Sequence, residues 1–480
     1  MHSPWRIVHQ LAAPAFFILI LAISSWLPME AAAVRVLALT IWMAWWWITE
    51  AAPIPVTSLL PLIGFPLLGV SSITDTGAAY GHPMVFLYMG GFLLSLAVEK
   101  WELHRRVALS IMAVVGVGGK QLVLGSMLAT ALISMWISNT ATAVMMLPIM
   151  LALISQFEKG GNKVPAGLDK ALLLGIAYAA SIGGIATLIG SPTNVVFTAM
   201  IRKTYNQDFS FFQWMLVGLP VAAVLLLITW QVLIRRFQIG MAEGGLGKDA
   251  VKSELKALGK LTRPERAVGI VFLFAALSWM TRTLWAPFLP TGFPVDDTII
   301  ALVAGLVLFV IPSGEGGALM DWKTAHHLPW DILLLFGGGL ALAEGFTSSG
   351  LSVWIGANLL PGSGVPFWIV LLIVIAGINF LTEMTSNVAT CSMILPILAA
   401  LASDNGMNPY LLMGGATIAA SCAFMLPVGT PPNAVVFGSG RIRMMDMVKT
   451  GFALNLLSIG VIFLILTLLA PLVWPEAPQP

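Results

Sequence analysis

Residues 121–157 run for 37 positions without one Asp, Glu, Lys or Arg. The stretches 171–201, 405–440 and 451–475 are equally free of charge. Each is long enough for at least one bilayer span of about 20 apolar residues. Only 10% of the chain is charged, where a soluble domain has about 25%. Such a chain folds as an all-α polytopic membrane protein, because helices satisfy their own backbone groups in lipid. The net charge of +2 gives no reason to expect nucleic acid. Cys391 and Cys422 lie in apolar segments and read as small hydrophobes, not as a disulfide or metal pair.

Hydropathy suggests helices near 10–27, 34–49, 53–72, 84–98, 171–200, 214–234, 267–285, 298–312, 331–347, 410–437 and 452–474. The longer apolar regions 121–155 and 365–402 carry polar clusters, Ser138-Asn139-Thr140 and Ser386-Asn387-Val388, at or near their middles. If both regions are re-entrant hairpins, about 11 crossings remain and the N-terminus starts inside. Twenty of the 24 Lys and Arg then fall on the inner side, and only Arg35, Arg202, Lys203 and Arg282 fall outside, as the positive-inside rule requires. The charged stretch 235–266 reads as a cytoplasmic linker with a surface helix at 248–259.

The chain also repeats itself. "SNTATAVMMLPI" (138–149) and "SNVATCSMILPI" (386–397) share 8 of 12 positions at an offset of 248. At that offset Gly90-Gly91 meets Gly338-Gly339 and Ser134 meets Thr382, while "GSPTN" (190–194) matches "GTPPN" (429–433) at 239. The loops 99–120 and 156–170 hold seven Lys/Arg, but their counterparts 348–364 and 403–409 hold none. The halves therefore face opposite ways, an inverted repeat of the kind that builds secondary transporters with a site at the repeat interface.

Non-helical backbone in a membrane is tolerated only where it is buried in protein or lines a cavity. Each hairpin tip offers helix N-terminal N–H groups to an anion and free carbonyls to a cation. Gly and Pro break the other two helices. Two cation sites follow, one of Ser134, Ser138, Asn139 and Gly190, the other of Thr382, Thr385, Asn387 and Gly429. An anion between them meets Asn139, Thr140, Ser191, Asn387 and Thr430. Small and hydroxyl residues also glue membrane helices together, but four clusters at matched offsets exceed what packing alone asks for. With no Lys or Arg nearby, an anion there depends on co-bound cations.

Glu383, in "TEMTSN", reads either as a proton site or tip partner, or as a structural carboxylate. Glu50 and Glu344 read as structural or interfacial, His326-His327 as solvated, and Trp45-Trp46-Trp47 as interfacial anchors. No catalytic residue is expected. An intramembrane metalloprotease needs H-E-x-x-H, which this sequence does not contain.

The motifs "SNTAT" (138–142), "TEMTSNVAT" (382–390), "GSPTN" and "LPVGTPPNAVVFGSG" (426–440) resemble those of the divalent anion/sodium symporter family. The likeness covers roughly 33–475 and comes nearest to the bacterial INDY-type sodium/dicarboxylate cotransporters. It implies sodium-coupled symport of C4-dicarboxylates such as succinate, malate and fumarate, with sodium co-transported and no organic cofactor. An exchanger of the same family, or a citrate or sulfate carrier, is the alternative. It further implies a homodimer in the plasma membrane, bacterial and multi-pass, whose transport domain moves as an elevator against a scaffold. The N-terminus would be cytoplasmic. In the family both tips and both broken loops contact substrate, which carries over to Ser138, Asn139, Thr140, Ser191, Pro192, Ser386, Asn387, Val388, Thr430 and Pro431. Residues 1–83 and 267–330 would then be mainly scaffold. Residues 84–234 and 331–475 would be the repeats, each with a hairpin (about 121–155 and 365–402) and a broken helix (about 171–200 and 410–437). Val388 departs from the paired SNT pattern, which puts preference among the acids in doubt. Thr193 stands where many relatives have Pro, which predicts a less rigid first loop.

Overall fold

The computed structural model describes residues 4–116, 118–159, 167–240, 246–290, 295–359 and 364–474. Among these, all regular elements are helices apart from one isolated bridge between Pro312 and Ala318. Two helices, α1 (Pro4–Ala22) and α2 (Ala31–Thr49), open the chain. The first repeat follows: α3 (Pro83–Lys100), α4 (Leu103–Val115), α5 (Gly119–Ser134), α6 (Asn139–Lys159), α7 (Leu168–Ile185), α8 (Pro192–Tyr205) and α9 (Phe211–Arg236). The linker helix α10 (Leu246–Ala257), then α11 (Arg263–Trp285) and α12 (Asp297–Val307), lead to the second. That repeat has the same seven parts: α13 (Trp330–Ser348), α14 (Leu351–Leu359), α15 (Phe367–Leu381), α16 (Asn387–Asp404), α17 (Pro409–Ala420), α18 (Pro431–Phe437) and α19 (Met444–Leu468).

Local sequence fixes the starts of several of these. Ser210 with Gln213, and Thr262 with Glu265, form capping boxes that begin α9 and α11. Ser138 accepts from Ala141 N at 3.2 Å and so caps α6 at the first hairpin tip.

Seven described helices are long and apolar enough to cross a bilayer: 31–49, 73–100, 168–185, 211–236, 263–288, 330–348 and 444–473. The remaining expected spans are shorter or cut. Prolines divide 53–72 into Ile54–Thr57 and Leu60–Leu67, and α12 stops at Val307, short of 312. The greatest departure from the sequence reading is that 103–115 and 351–359 are helices, not loops. Leu103 and Leu351, their first residues, stand 248 apart, so the repeat extends through them. The buried face of α4 (His104, Ala108, Leu109, Met112) has helical spacing that its arginines mask. Trp47 is also no interfacial anchor. It is fully buried in an apolar cluster where α2 (Leu39, Met43) meets α13 (Leu335, Leu342) and α16 (Ala389, Met393).

Ion pairs sort by rim. Lys100–Asp321 (2.5 Å), Arg105–Glu254 (2.9 Å), Arg106–Glu265 (3.1 Å) and Lys170–Asp446 (2.7 Å) join residues that the sequence places on one side. Arg202 with Asp208 and Asp296, Lys203 with Glu344, and Arg282 with Asp297 join residues of the other. None of these pairs crosses between the sets. The Lys100–Asp321 pair brings the end of α3 to the approach to α13, so the repeats run opposite ways. Its hydrogen bond, with one from Thr324 N, pulls the Asp321 carboxyl down to about 2. Of the twenty cations on the first side, Lys163 lies outside the described residues.

Arg106 fastens the linker. Its guanidinium donates to Leu258 O, Gly259 O and Lys260 O and to both carboxylate oxygens of the buried Glu265. Removing one partner of a buried pair costs about 3 kcal/mol or more. Arg106→Ala is therefore expected to lower the thermal midpoint of the detergent-purified protein by several degrees. Arg106→Lys, a point charge without the fork, is expected to recover only part of the loss.

Candidate functional site

In each repeat the second long helix is cut, and one asparagine spans the cut. Helix α7 stops at Ile185 and α8 begins at Pro192; α17 stops at Ala420 and α18 begins at Pro431. Asn194 Nδ2 donates to Gly184 O (2.9 Å) and Thr187 O (2.7 Å). Asn433 Nδ2 donates to Ala423 O and Leu426 O, both at 3.0 Å. Donor and acceptors all correspond at the offset of 239. The last residue of "GSPTN" and "GTPPN" thus ties down carbonyls that the broken helix leaves free.

The hairpin tips lie against these breaks. Ser134 Oγ is 2.8 Å from the Asn139 carboxamide and 2.7 Å from Ala180 O. The neighbours of that carboxamide are acceptors. Its NH2 therefore belongs on their side, donating to Ala180 O (3.0 Å), Ser134 Oγ (2.8 Å) and Gly190 O (3.2 Å). Gly184 permits the approach, because a β-carbon there would sit 2.4 Å from the Asn139 carboxamide. In the second repeat Thr382 Oγ1 is 2.8 Å from Asn387 Oδ1 and 2.9 Å from Ala420 O. In each half, then, a buried hydroxyl, a carboxamide and a carbonyl of the broken helix converge. The hydroxyl and carbonyl oxygens suit a hard monovalent cation, and each carboxamide adds an acceptor when its oxygen is turned toward them. The structure brings Ser134, Asn139 and Gly190 together in one cluster, and Thr382 and Asn387 in the other. Thr385 Oγ1 instead turns to Leu381 O (3.0 Å) and Thr390 Oγ1 (2.6 Å), within its own hairpin.

Glu383 makes the halves differ. Its Oε1 accepts from Phe424 N (2.7 Å), Met425 N (2.9 Å) and Asn455 Nδ2 (2.8 Å), and Oε2 accepts from Leu426 N (3.0 Å). By capturing these amides it ends α17 at Ala420, four residues before the counterpart of Ile185. At the matching position of the first repeat stands Met135, whose carbonyl accepts from Thr187 Oγ1. Of the two roles open to Glu383 from sequence, these contacts fit the structural carboxylate.

Between tips and breaks lies a cavity of about 760 Å³. All ten residues carried over as substrate contacts line it, as do Thr385 and Gly429. Ser134 and Thr382 are fully buried behind its wall. Thr430 Oγ1, in that wall, is buried without a protein partner. The lining contains no Lys or Arg. A further part of the lining has no counterpart in the sequence reading: Ile48 and Thr49 at the end of α2, Glu50 and Ile54 just beyond it, and Asp331, Ile332 and Leu335 on α13. Neither segment carries a polar break, so only the fold reveals their place. Thr193 does not loosen the first loop. It is fully buried, and its hydroxyl contacts Ser191 Oγ (2.9 Å), Asn194 Oδ1 (3.3 Å) and, across the repeats, Ser421 Oγ (2.9 Å).

The sequence and the fold have known parallels. A protein named sodium-dependent dicarboxylate transporter SdcS, from Staphylococcus saprophyticus, is 42% identical over 476 residues, covering 97% of this chain and 92% of that protein. A namesake from Staphylococcus aureus is 40% identical over 482 residues, covering 98% and 92%. The crystal structure of the Alcanivorax borkumensis YdaH transporter shares the fold, with a TM-score of 0.57 at 16% identity over 98% of this chain and 100% of that one. The family model described as sodium:sulfate symporter transmembrane region matches residues 4–475. The chain is a multi-pass membrane transporter, not an enzyme, and belongs to the sodium:sulfate symporter family.

Proposed function

We propose that this protein is a secondary transporter that carries C4-dicarboxylates, among them succinate, malate and fumarate, together with sodium. The observation that carries the reading is the cavity itself. Two matched tips and two matched breaks meet there, and no cationic side chain lines it. A dianion in it is held by N–H dipoles, hydroxyls and carboxamides, and its charge is balanced by cations in the two clusters behind the wall. The dicarboxylate names of the relatives at about 40% identity support the choice of substrate. The placing of 20 of the 24 Lys and Arg on one side supports a cytoplasmic N-terminus, and the staphylococcal relatives support a bacterial plasma membrane.

In this reading sodium occupies the cluster of Ser134, Ser138, Asn139 and Gly190 and the cluster of Thr382, Thr385, Asn387 and Gly429. The carboxylates meet Ser138, Asn139, Thr140, Ser191 and Pro192 from one half. From the other they meet Ser386, Asn387, Val388, Thr430 and Pro431. The hairpins and broken helices move together as an elevator against a scaffold of residues 1–83 and 267–330. The apolar contact of Leu39 and Met43 with Ala389 and Met393 supports such sliding, since it sets no directional bond against the motion. The working unit is a homodimer.

The test is uptake of radiolabelled succinate into liposomes containing the purified protein. Accumulation is expected with an inward sodium gradient and not with potassium in its place. Uptake that ignores sodium but needs preloaded dicarboxylate would make the protein an exchanger. Moving one charge across 100 mV is worth about 2.3 kcal/mol. Import of a dianion against a negative interior therefore favours more than two sodium ions, and inside-negative voltage is expected to speed uptake. Asn139→Ala and Asn387→Ala each remove contacts to charged ligands worth about 2 kcal/mol, or roughly thirtyfold in binding. Each variant is expected to lose sodium-stimulated uptake while eluting from a sizing column as the wild type does; full activity in either would remove the site. A cysteine at the exposed Lys252 is expected to react only from the cytoplasmic side, against a quiet background, because Cys391 and Cys422 are buried.

A further inference from the structure

The two cation clusters share a hydroxyl, an asparagine side chain and a carbonyl of the broken helix, but differ in charge. Glu383, next in the chain to Thr382, is 3% exposed. Its four hydrogen bonds all come from neutral donors, and none of the described ion pairs includes it. Such bonds satisfy lone pairs and leave the negative charge uncancelled. A β-carbon on Gly429 would lie 2.9 Å from Glu383 Oε2, so the carboxylate abuts the backbone of that cluster. Two further acceptors of the same network, Asn379 Oδ1 and Asn455 Oδ1, are fully buried without a partner. Asn379 Nδ2 is bonded to Ser458 Oγ and Cys422 O, and Asn455 Nδ2 to Glu383. The first repeat has Ala131 and Met135 at the positions of Asn379 and Glu383. There the nearest atoms to a β-carbon on Gly190 would be neutral backbone, among them Gly184 O at 2.7 Å and Met135 O at 3.0 Å.

We infer that the clusters are unequal, and that the one around Thr382, Asn387 and Gly429 takes its ion first and more tightly because Glu383 lies beside it. This rests on the reading of both clusters as sodium sites. Charges a few ångströms apart interact by more than the 1.4 kcal/mol of a tenfold affinity change, even at an effective dielectric constant of about 20. The first ion neutralises the buried carboxylate. The second, weaker site then fills, and only with both ions bound do the two clusters and Glu383 together offer the dianion a net positive charge.

The experiment uses the full chain in detergent. Its thermal midpoint is followed as sodium chloride replaces choline chloride at constant ionic strength. Ser134→Ala cripples the first cluster and Thr382→Ala the second, so each variant reports on the cluster left intact. Ser134→Ala is expected to reach half its sodium-induced rise at a sodium concentration at least tenfold lower than Thr382→Ala. Adding Glu383→Gln to Ser134→Ala is expected to remove that advantage. A purely structural Glu383 would lower the starting midpoint and leave the half-saturating concentration where it was. Equal half-saturation in the two single variants, or the reverse order, overturns the inference while sodium coupling stands. Absence of any sodium effect on midpoint or uptake overturns both.

Discussion

Asn194 and Asn433 hold the architecture of the site together. A helix cut inside a membrane leaves carbonyls and amides that no water reaches, each costing several kcal/mol if unmet. One carboxamide per repeat, donating to two carbonyls across the cut, makes the break affordable. With the cut fixed, the hairpin tip has a surface to close against, and the hydroxyls Ser134 and Thr382 reach the carbonyls of Ala180 and Ala420. The cavity is what remains between the four pieces.

The symmetry is strict where the backbone needs it and relaxed where it does not. Donors and acceptors at the breaks correspond one to one. The helices around them do not, because Glu383 collects three amides in the second repeat, whereas the first keeps its helix through Ile185. A carboxylate so held stiffens one side of the site and sets a charge there. The opposing side is built from a methionine carbonyl and a threonine hydroxyl. Two copies of one design thus present different electrostatics to what lies between them.

Much of this was legible in the chain because the features that mark the site are those that break hydrophobic monotony. Asn139 and Asn387 stand out where lipid is expected, and their shared spacing discloses both the repeat and its partners. The helices at 103–115 and 351–359 were hidden for the opposite reason. Arginines make 103–115 resemble a connecting loop, and 351–359 is too short and weakly patterned to signal a helix. Only the burial of His104, Ala108 and Met112 follows a helical stripe. Trp47 misleads because tryptophan serves lipid interfaces and packed cores alike. The lining contributed by Ile48, Glu50 and Asp331 has no local mark at all, since tertiary packing alone brings it to the cavity. Thr193 shows the limit of reasoning by replacement: a missing proline ring invites flexibility in sequence, but in the fold its hydroxyl finds three partners.

The contact of Thr193 with Ser421 joins the break of one repeat to the break of the other. Two halves that arose as copies and served separate sites would be free to diverge, each accumulating change on its own account. Here a substitution at either hydroxyl is felt on both sides at once, so the copies inherit one another's constraints. The loops can lengthen, as the change of offset from 248 to 239 shows.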